Sequence, residues 1–269
     1  MLYTYKFNVL EAGGRVVRES EKIDAVAWLA YLQANSGRYG NLHEFIAAAL
    51  PAMKGEDALV AGSLANQLDD TFADSEPTVV CQFALFCWQL FKAGELSAGA
   101  WAGVLGIAWQ SCERSLLDTV ALSEALVVRM FEAADKEALF RAGASRENWA
   151  AYFAELPDQV EVYRGITTAL KHGENGFSWT LNPELAKHFS GRNVKQASEI
   201  PGVICARVPK TAILARFDQG EEVVIDPGVA KEIVHTTYLS GSGLSKFRQN
   251  WKKWQDEEAK RRREAVQGR

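Results

Sequence analysis

The chain has 269 residues, of which 48% are apolar and 24% charged, and its formal net charge is −4. That is the balance of a soluble globular protein with room for one large domain or two modest ones, and it excludes a global basic field for nucleic acid. Its four cysteines, Cys81, Cys87, Cys112 and Cys205, form no C-x-x-C pair, and no histidine is placed to complete a zinc site, so free buried thiols and no metal are expected.

The opening MLYTYKFNVLE has neither the basic nor the apolar segment of a secretion signal, which gives a cytoplasmic expectation. Leu2 to Glu11 alternates, Gly13-Gly14 follows, and Arg15 to Glu19 completes a predicted β-hairpin. Helical spacing takes over from Ile23 and breaks between Asn35 and Gly40. Asn41, with Glu44 three residues on, is placed to cap a second helix that Pro51 stops, and a third covers about Glu56 to Leu68. Pro77 opens a helix whose apolar stripe includes Val79, Phe83, Phe86, Cys87, Leu90 and Phe91, and Gly94 ends it. Ser97 to Cys112 is a second apolar helix, with Gly99, Gly103 and Gly106 suited to close packing. Both apolar runs are well short of the roughly 20 residues that span a bilayer, so no membrane partner is expected. Helices are predicted over Ser115 to Ala134 and Ser145 to Leu156. In the second, Trp149, Tyr152, Phe153 and Leu156 share a face and are read as core.

At Pro157 the texture changes. Short β-branched runs follow at Val160–Tyr163, Gly176–Leu181, Gly202–Val208, Ala212–Phe217, Glu222–Ile225 and Ile233–Tyr238, with one helix over Pro183 to Ser190 that Asn182 can cap. Gly241-Ser-Gly243 reads as a flexible joint. Beyond it Leu244, Phe247, Trp251 and Trp254 lie on one helical face. Lys246 to Arg269 carries nine Lys/Arg against four Asp/Glu, a local +5 that leaves −9 on the rest of the chain. The expected class is therefore α+β. Residues 1–157 form a helical domain with a short hairpin, 158–240 a mixed-sheet domain, and 241–269 a basic C-terminal helix.

Three fragments of the sheet-rich unit stand out. In Val162-Tyr163-Arg164-Gly165 an arginine ends an apolar strand, a costly position unless an anion pairs with it. In Gly176-Phe177-Ser178-Trp179-Thr180 alternation puts Ser178 and Thr180 on one face and Phe177 and Trp179 on the other. In Gln219-Gly220-Glu221-Glu222-Val223-Val224-Ile225 a carboxylate leads into a buried strand. Singly, each has a plainer reading: an arginine on a structural carboxylate, hydroxyls on a solvated face, and a solvated strand entrance.

Together, Arg, then Ser-x-Thr, then Glu before a strand resembles the arginine–serine–glutamate class of ADP-ribosyltransferases, to which clostridial and cholera-type toxins belong. The resemblance covers about 80 residues, from Val160 to Tyr238, and takes in Ala186-Lys187-His188-Phe189 and the run Gly202-Val-Ile-Cys-Ala-Arg-Val-Pro. It implies NAD+ as substrate, a macromolecular acceptor (protein, RNA or DNA), and the role of an intracellular toxin or effector with an inhibitor or antitoxin partner. Cleavage of the nicotinamide glycosidic bond builds an oxocarbenium-like ribose. The resemblance assigns Glu222 to stabilise that charge, Ser178 to orient Glu222, and Arg164 to meet the phosphates or adjoining ribose. It also gives Gly165 to the nicotinamide amide, Thr180 to the cofactor site and Phe189, or less readily Phe177, to cover the nicotinamide ring, with Trp179 left as core.

With Glu222 catalytic, Gly220 stands where the family often has a second carboxylate or glutamine, which puts arginine acceptors in doubt. With Glu221 catalytic, Gln219 would stand there. Glu222 is preferred because it abuts Val223–Ile225. The alternatives are an NAD+ glycohydrolase, with water as acceptor, and an inactive module that binds a partner or nucleic acid. The basic tail is either a solvated helix end packed through its aromatics or an electrostatic guide for nucleic acid or an acidic partner.

Overall fold

The computed structural model describes residues 78–112, 123–142, 149–169, 175–192, 194, 196, 198–217, 221–229, 231–249 and 252, with isolated helical positions at 30, 33, 34, 44 and 47. The expected hairpin at Leu2–Glu19, the run of helices from Ile23 to Leu68, and the densest part of the basic tail lie outside the described residues. The chain divides into two compact units, Met1–Ala154 and Glu155–Arg269.

The described residues of the first unit are helical with short connections. Helices α1 (Thr78–Lys92) and α2 (Ala98–Cys112) are apolar around most of their circumference, and the interior of the unit follows from that. Cys81 and Cys87, which point to different faces of α1, are both fully buried, as are Phe83, Phe86 and Trp101. Trp88 and Trp101 pack with ring centroids 5.2 Å apart, and the Trp101 indole N–H donates to the Met130 carbonyl at 2.9 Å, so a large buried ring keeps its polar edge satisfied. Gly94, at φ +77, closes α1: Gly94 N–H donates to Phe91 and Glu95 N–H to Leu90, the paired bonds that absorb the last helical carbonyls.

Ser97 caps α2 through Ala100 N–H. The long helix expected over Ser115–Ala134 is shorter where it is described: α3 (Glu124–Glu132) starts at an N-cap, Ser123, whose hydroxyl accepts from Leu126 N–H. A further helix, α4 (Lys136–Ala142), was not anticipated, although Asp135 announces it by accepting from Ala138 N–H at 2.7 Å. In α5 (Trp149–Glu155) no residue is fully buried, which corrects the core assignment. Trp149 and Tyr152 are half-buried and pack on Phe140, the first edge to face and the second stacked, so this face is covered on one side only.

The second unit is a six-stranded sheet with a helix on it. Its elements are β1 (Gln159–Thr167), β2 (Ser178–Thr180), α6 (Pro183–Arg192), β3 (Pro201–Pro209), β4 (Ile213–Phe217), β5 (Glu222–Ile225) and β6 (Glu232–Tyr238). A helical segment α7 follows over 241–249. The strand order is β4-β5-β2-β1-β3-β6 and every pairing is antiparallel, which corrects the expected mixed sheet while leaving the α+β class intact. The helical crossover α6 carries the chain from β2 to β3 over β1, so the two co-directional strands are separated by one that runs the other way.

The sheet is not flat. Pro209 and Ile213 are joined by so few residues that they lie at most about 14 Å apart, whereas β3 and β4 would stand roughly 19 Å apart in a flat sheet. It therefore coils until β4 returns beneath the end of β3. Asp158 carbonyl accepts from Lys210 N–H, and Ala212 carbonyl from Asp226 N–H, which fixes that return. Asn182 caps α6 through Glu184 N–H at 2.9 Å, as its position before Pro183 predicts. The Gly241–Gly243 stretch is not a loose joint: the helical turn starts there, with Leu244 N–H donating to Ser240 carbonyl.

Burial raises the Cys87 thiol well above its ordinary value of 9.0, because a thiolate would have no water around it. The proton is therefore held more tightly in the folded chain than in the unfolded one. Stability is complete below about pH 9 and falls as pH rises beyond it. The denaturant midpoint should drop from about pH 8 to about pH 10, and drop less in Cys87→Ala. Equal declines in both proteins would contradict this account.

Candidate active site on the sheet

The central strands bring the three fragments side by side. β2 pairs with β1 on one edge and β5 on the other, so the strands carrying Arg164, Ser178 and Glu222 adjoin. Glu222 lies opposite Thr180, Thr180 opposite Tyr163, Tyr163 opposite Cys205, and Cys205 opposite His235. Directly paired residues share a sheet face, so these five form one row. It runs from half-buried Glu222 through buried Thr180 to exposed His235. Ser178 pairs with Val224 and sits on the same face, diagonal to Glu222, at a separation long side chains can bridge.

The two adjacent glutamates occupy different environments. Glu222 begins β5 and is half-buried. Glu221 is exposed in the preceding turn at φ +47, a left-handed conformation that costs a non-glycine residue about 1–2 kcal/mol. Gln219 and Gly220 lie outside the described residues.

Arg164 is not at a strand end. β1 continues through Gly165 and Ile166 to Thr167. By alternation Arg164 starts on the face opposite the Glu222 row. Its guanidinium reaches β2, where Nη1 donates to the Ser178 carbonyl. It occupies the space beside Gly176, since a Cβ there would coincide with the guanidinium group. Trp179, buried as expected, donates from its indole N–H to the Gly176 carbonyl at 2.7 Å. Arg164 and Trp179 thus both hold the chain at the entrance to β2.

Gly165 lies on the Glu222 face, and α6 packs on it backbone to backbone. A Cβ would strike the Ala186 carbonyl oxygen and the Ser190 nitrogen, with the Phe189 carbonyl carbon at 2.9 Å. Close approach of helix to strand is the reason for glycine here. It also sets half-buried Phe189 above β1. Phe177 is 3% exposed and belongs to the core.

The sequence reading missed the neighbours of this row. Tyr163 hydroxyl donates to Glu161 at 3.3 Å, and Arg207 bridges Glu161 and Glu232 at 3.3 and 3.2 Å. Desolvation, then the adjacent Cys205 and Glu161, raise the Tyr163 phenol. Desolvation and Glu161 likewise raise the Cys205 thiol, so both stay protonated at neutral pH. The period-2 pattern Glu161, Tyr163, Gly165 was the available signal, but only the register shows what each residue faces.

Comparison with protein-family models, curated proteins and solved structures finds no match for this chain. Among the described residues no group of three or more His, Cys, Asp or Glu is placed to hold a metal, and no helix is long and apolar enough to cross a membrane.

Gly165→Ala should lower stability by about 1–3 kcal/mol, because α6 must lift from β1. Gly243→Ala, with nothing within 4 Å of its added methyl, should be neutral or stabilise by about 0.5–1 kcal/mol. Chemical denaturation of the pair checks both, and a tolerated Gly165→Ala would refute the packing described.

Proposed function

We propose that the second unit cleaves the nicotinamide glycosidic bond of NAD+ and transfers ADP-ribose to a macromolecule. The observation that carries this reading is the placement of Arg164, Ser178 and Glu222 on three adjoining strands, with Ser178, Thr180 and Glu222 on one face.

In the proposed reaction the bond between ribose C1′ and nicotinamide N1 breaks and its electron pair leaves with nicotinamide, which becomes neutral. The ribose acquires oxocarbenium character. A fixed carboxylate beside it stabilises that charge and accepts a hydrogen bond from the 2′-hydroxyl. Glu222 fits this role better than Glu221 because it is fixed in the sheet opposite Thr180, while Glu221 projects from an exposed turn. The acceptor then bonds to C1′ and loses a proton.

Arg164 acts as a positioning residue: through the Ser178 carbonyl it sets the β2 backbone, and with it the hydroxyl diagonal to Glu222. Phe189 is the aromatic proposed to cover the nicotinamide ring. A role as an intracellular toxin or effector, with its own inhibitor, belongs to the same proposal.

The test uses NAD+ labelled in its adenylate half, incubated with the protein and a cell extract. Label should be retained in a macromolecular fraction. Glu222→Gln should reduce retention by about 100- to 1,000-fold with folding intact, while Glu221→Gln stays within a few-fold of wild type. Nicotinamide release with no retained label would make the protein a glycohydrolase. No turnover of NAD+ would refute the proposal.

A further inference from the structure

The C-terminal helix touches α6, the helix that packs on β1 on the face of the candidate site. Gly191, in the last turn of α6, leaves a notch that the Phe247 ring fills: a Cβ at Gly191 would lie 2.6 Å from Phe247 Cε2. Along α7, Leu244 and Phe247 are half-buried, whereas Ser245, Lys246, Arg248 and Gln249 are exposed, as is Lys252 just beyond. Phe247 is therefore taken up by α6, while Lys246, Arg248 and Lys252 are exposed to solvent around the rest of the helix. α6 itself lies on Gly165, on the face that bears Thr180 and Glu222. The charge continues past the described residues: Lys260-Arg261-Arg262-Arg263 lies in the tail, whose net +5 contrasts with −9 for the rest.

We propose that these solvent-exposed cations bind the phosphodiester backbone of a nucleic acid and that the acceptor for ADP-ribose is that nucleic acid. This inference rests on the transferase reading for the acceptor but not for the binding. Two alternatives are weaker on physical grounds. An amphipathic helix that enters a membrane needs its apolar stripe for lipid, and here Phe247 is committed to the Gly191 notch. A diffusely acidic protein surface would compete with the chain's own net −9. A phosphodiester chain offers closely spaced anions that guanidinium forks grip bidentately, and it adds counterion release to the binding free energy.

The experiment measures binding of the full-length protein to a fluorescent single-stranded RNA of about 20 nucleotides, the matching DNA, a poly-glutamate peptide and phosphatidylserine vesicles. It is run at two salt concentrations on wild type and on the triple variant Lys246→Glu, Arg248→Glu, Lys252→Glu. Nicotinamide release and label transfer are followed in parallel.

Wild type should bind one of the oligonucleotides at least tenfold more tightly than the peptide or the vesicles. The triple variant should lose at least tenfold in that binding, with the salt slope shallower by about 2 for three lost single-strand contacts. It should also lose transfer to the oligonucleotide, while its nicotinamide release without oligonucleotide, in which water takes the ADP-ribose, stays within twofold of wild type. Phe247→Ala, which frees the helix from its notch, should lower transfer per bound oligonucleotide at least fivefold. Equal or tighter binding to peptide or vesicles, unchanged oligonucleotide binding in the triple variant, or label on protein alone would overturn the inference. Oligonucleotide binding without any nicotinamide release would remove the transferase reading and the acceptor role with it, leaving the binding surface.

Discussion

The sheet of the second unit depends on a three-residue strand. β2 joins the β1-β3-β6 half to the β5-β4 half, and its ladder is short on both sides. Other bonds supply what the ladder lacks. Ile225 N–H donates to the Phe177 carbonyl at 2.8 Å, Trp179 donates to Gly176, and Arg164 donates to Ser178 from β1. A guanidinium withdrawn from water is tolerated only where such acceptors are fixed in place. Gly176 provides the space that lets Arg164 reach one. The brace that keeps the sheet continuous also positions Ser178 beside Glu222, so stability and the proposed chemistry rest on the same contact.

Much of this was legible in the residues. The Glu222–Ile225 strand follows from its β-branched run and the Asn182 cap from capping chemistry, because both act over a few residues, and Trp179 lies in the core as expected. Register was not legible. Nothing local says that Glu222 faces Thr180 and Tyr163, nor that Arg164 begins on the opposite face and reaches back. Gly165 illustrates the difference: its lack of a side chain suggested access for a ligand, and the structure shows that α6 takes that space. Strand direction was not legible either: a mixed sheet was expected, and here β1 lies between the co-directional β2 and β3, so every pairing is antiparallel. The half-burial of α5 was missed for a related reason, since periodicity tells which residues share a face but not what covers it.

Charge is distributed as unevenly as structure. The site face carries Glu222, Glu161 and Glu232, with Arg207 bound between the last two. The cations of α7 are exposed to solvent, on a helix that touches α6 through Phe247. NAD+, the proposed substrate, has a pyrophosphate partly offset by its cationic nicotinamide and would be held by specific contacts on the sheet, and a polyanion by the helix, which Phe247 joins to α6 at Gly191.

The most direct test is a crystal structure of Glu222→Gln with NAD+ bound. The account predicts the nicotinamide ribose within hydrogen-bonding distance of residue 222, with the Ser178 hydroxyl beside it and the Phe189 ring against the nicotinamide. NAD+ bound on the opposite sheet face or elsewhere on the protein, or no binding at millimolar concentration, would contradict it.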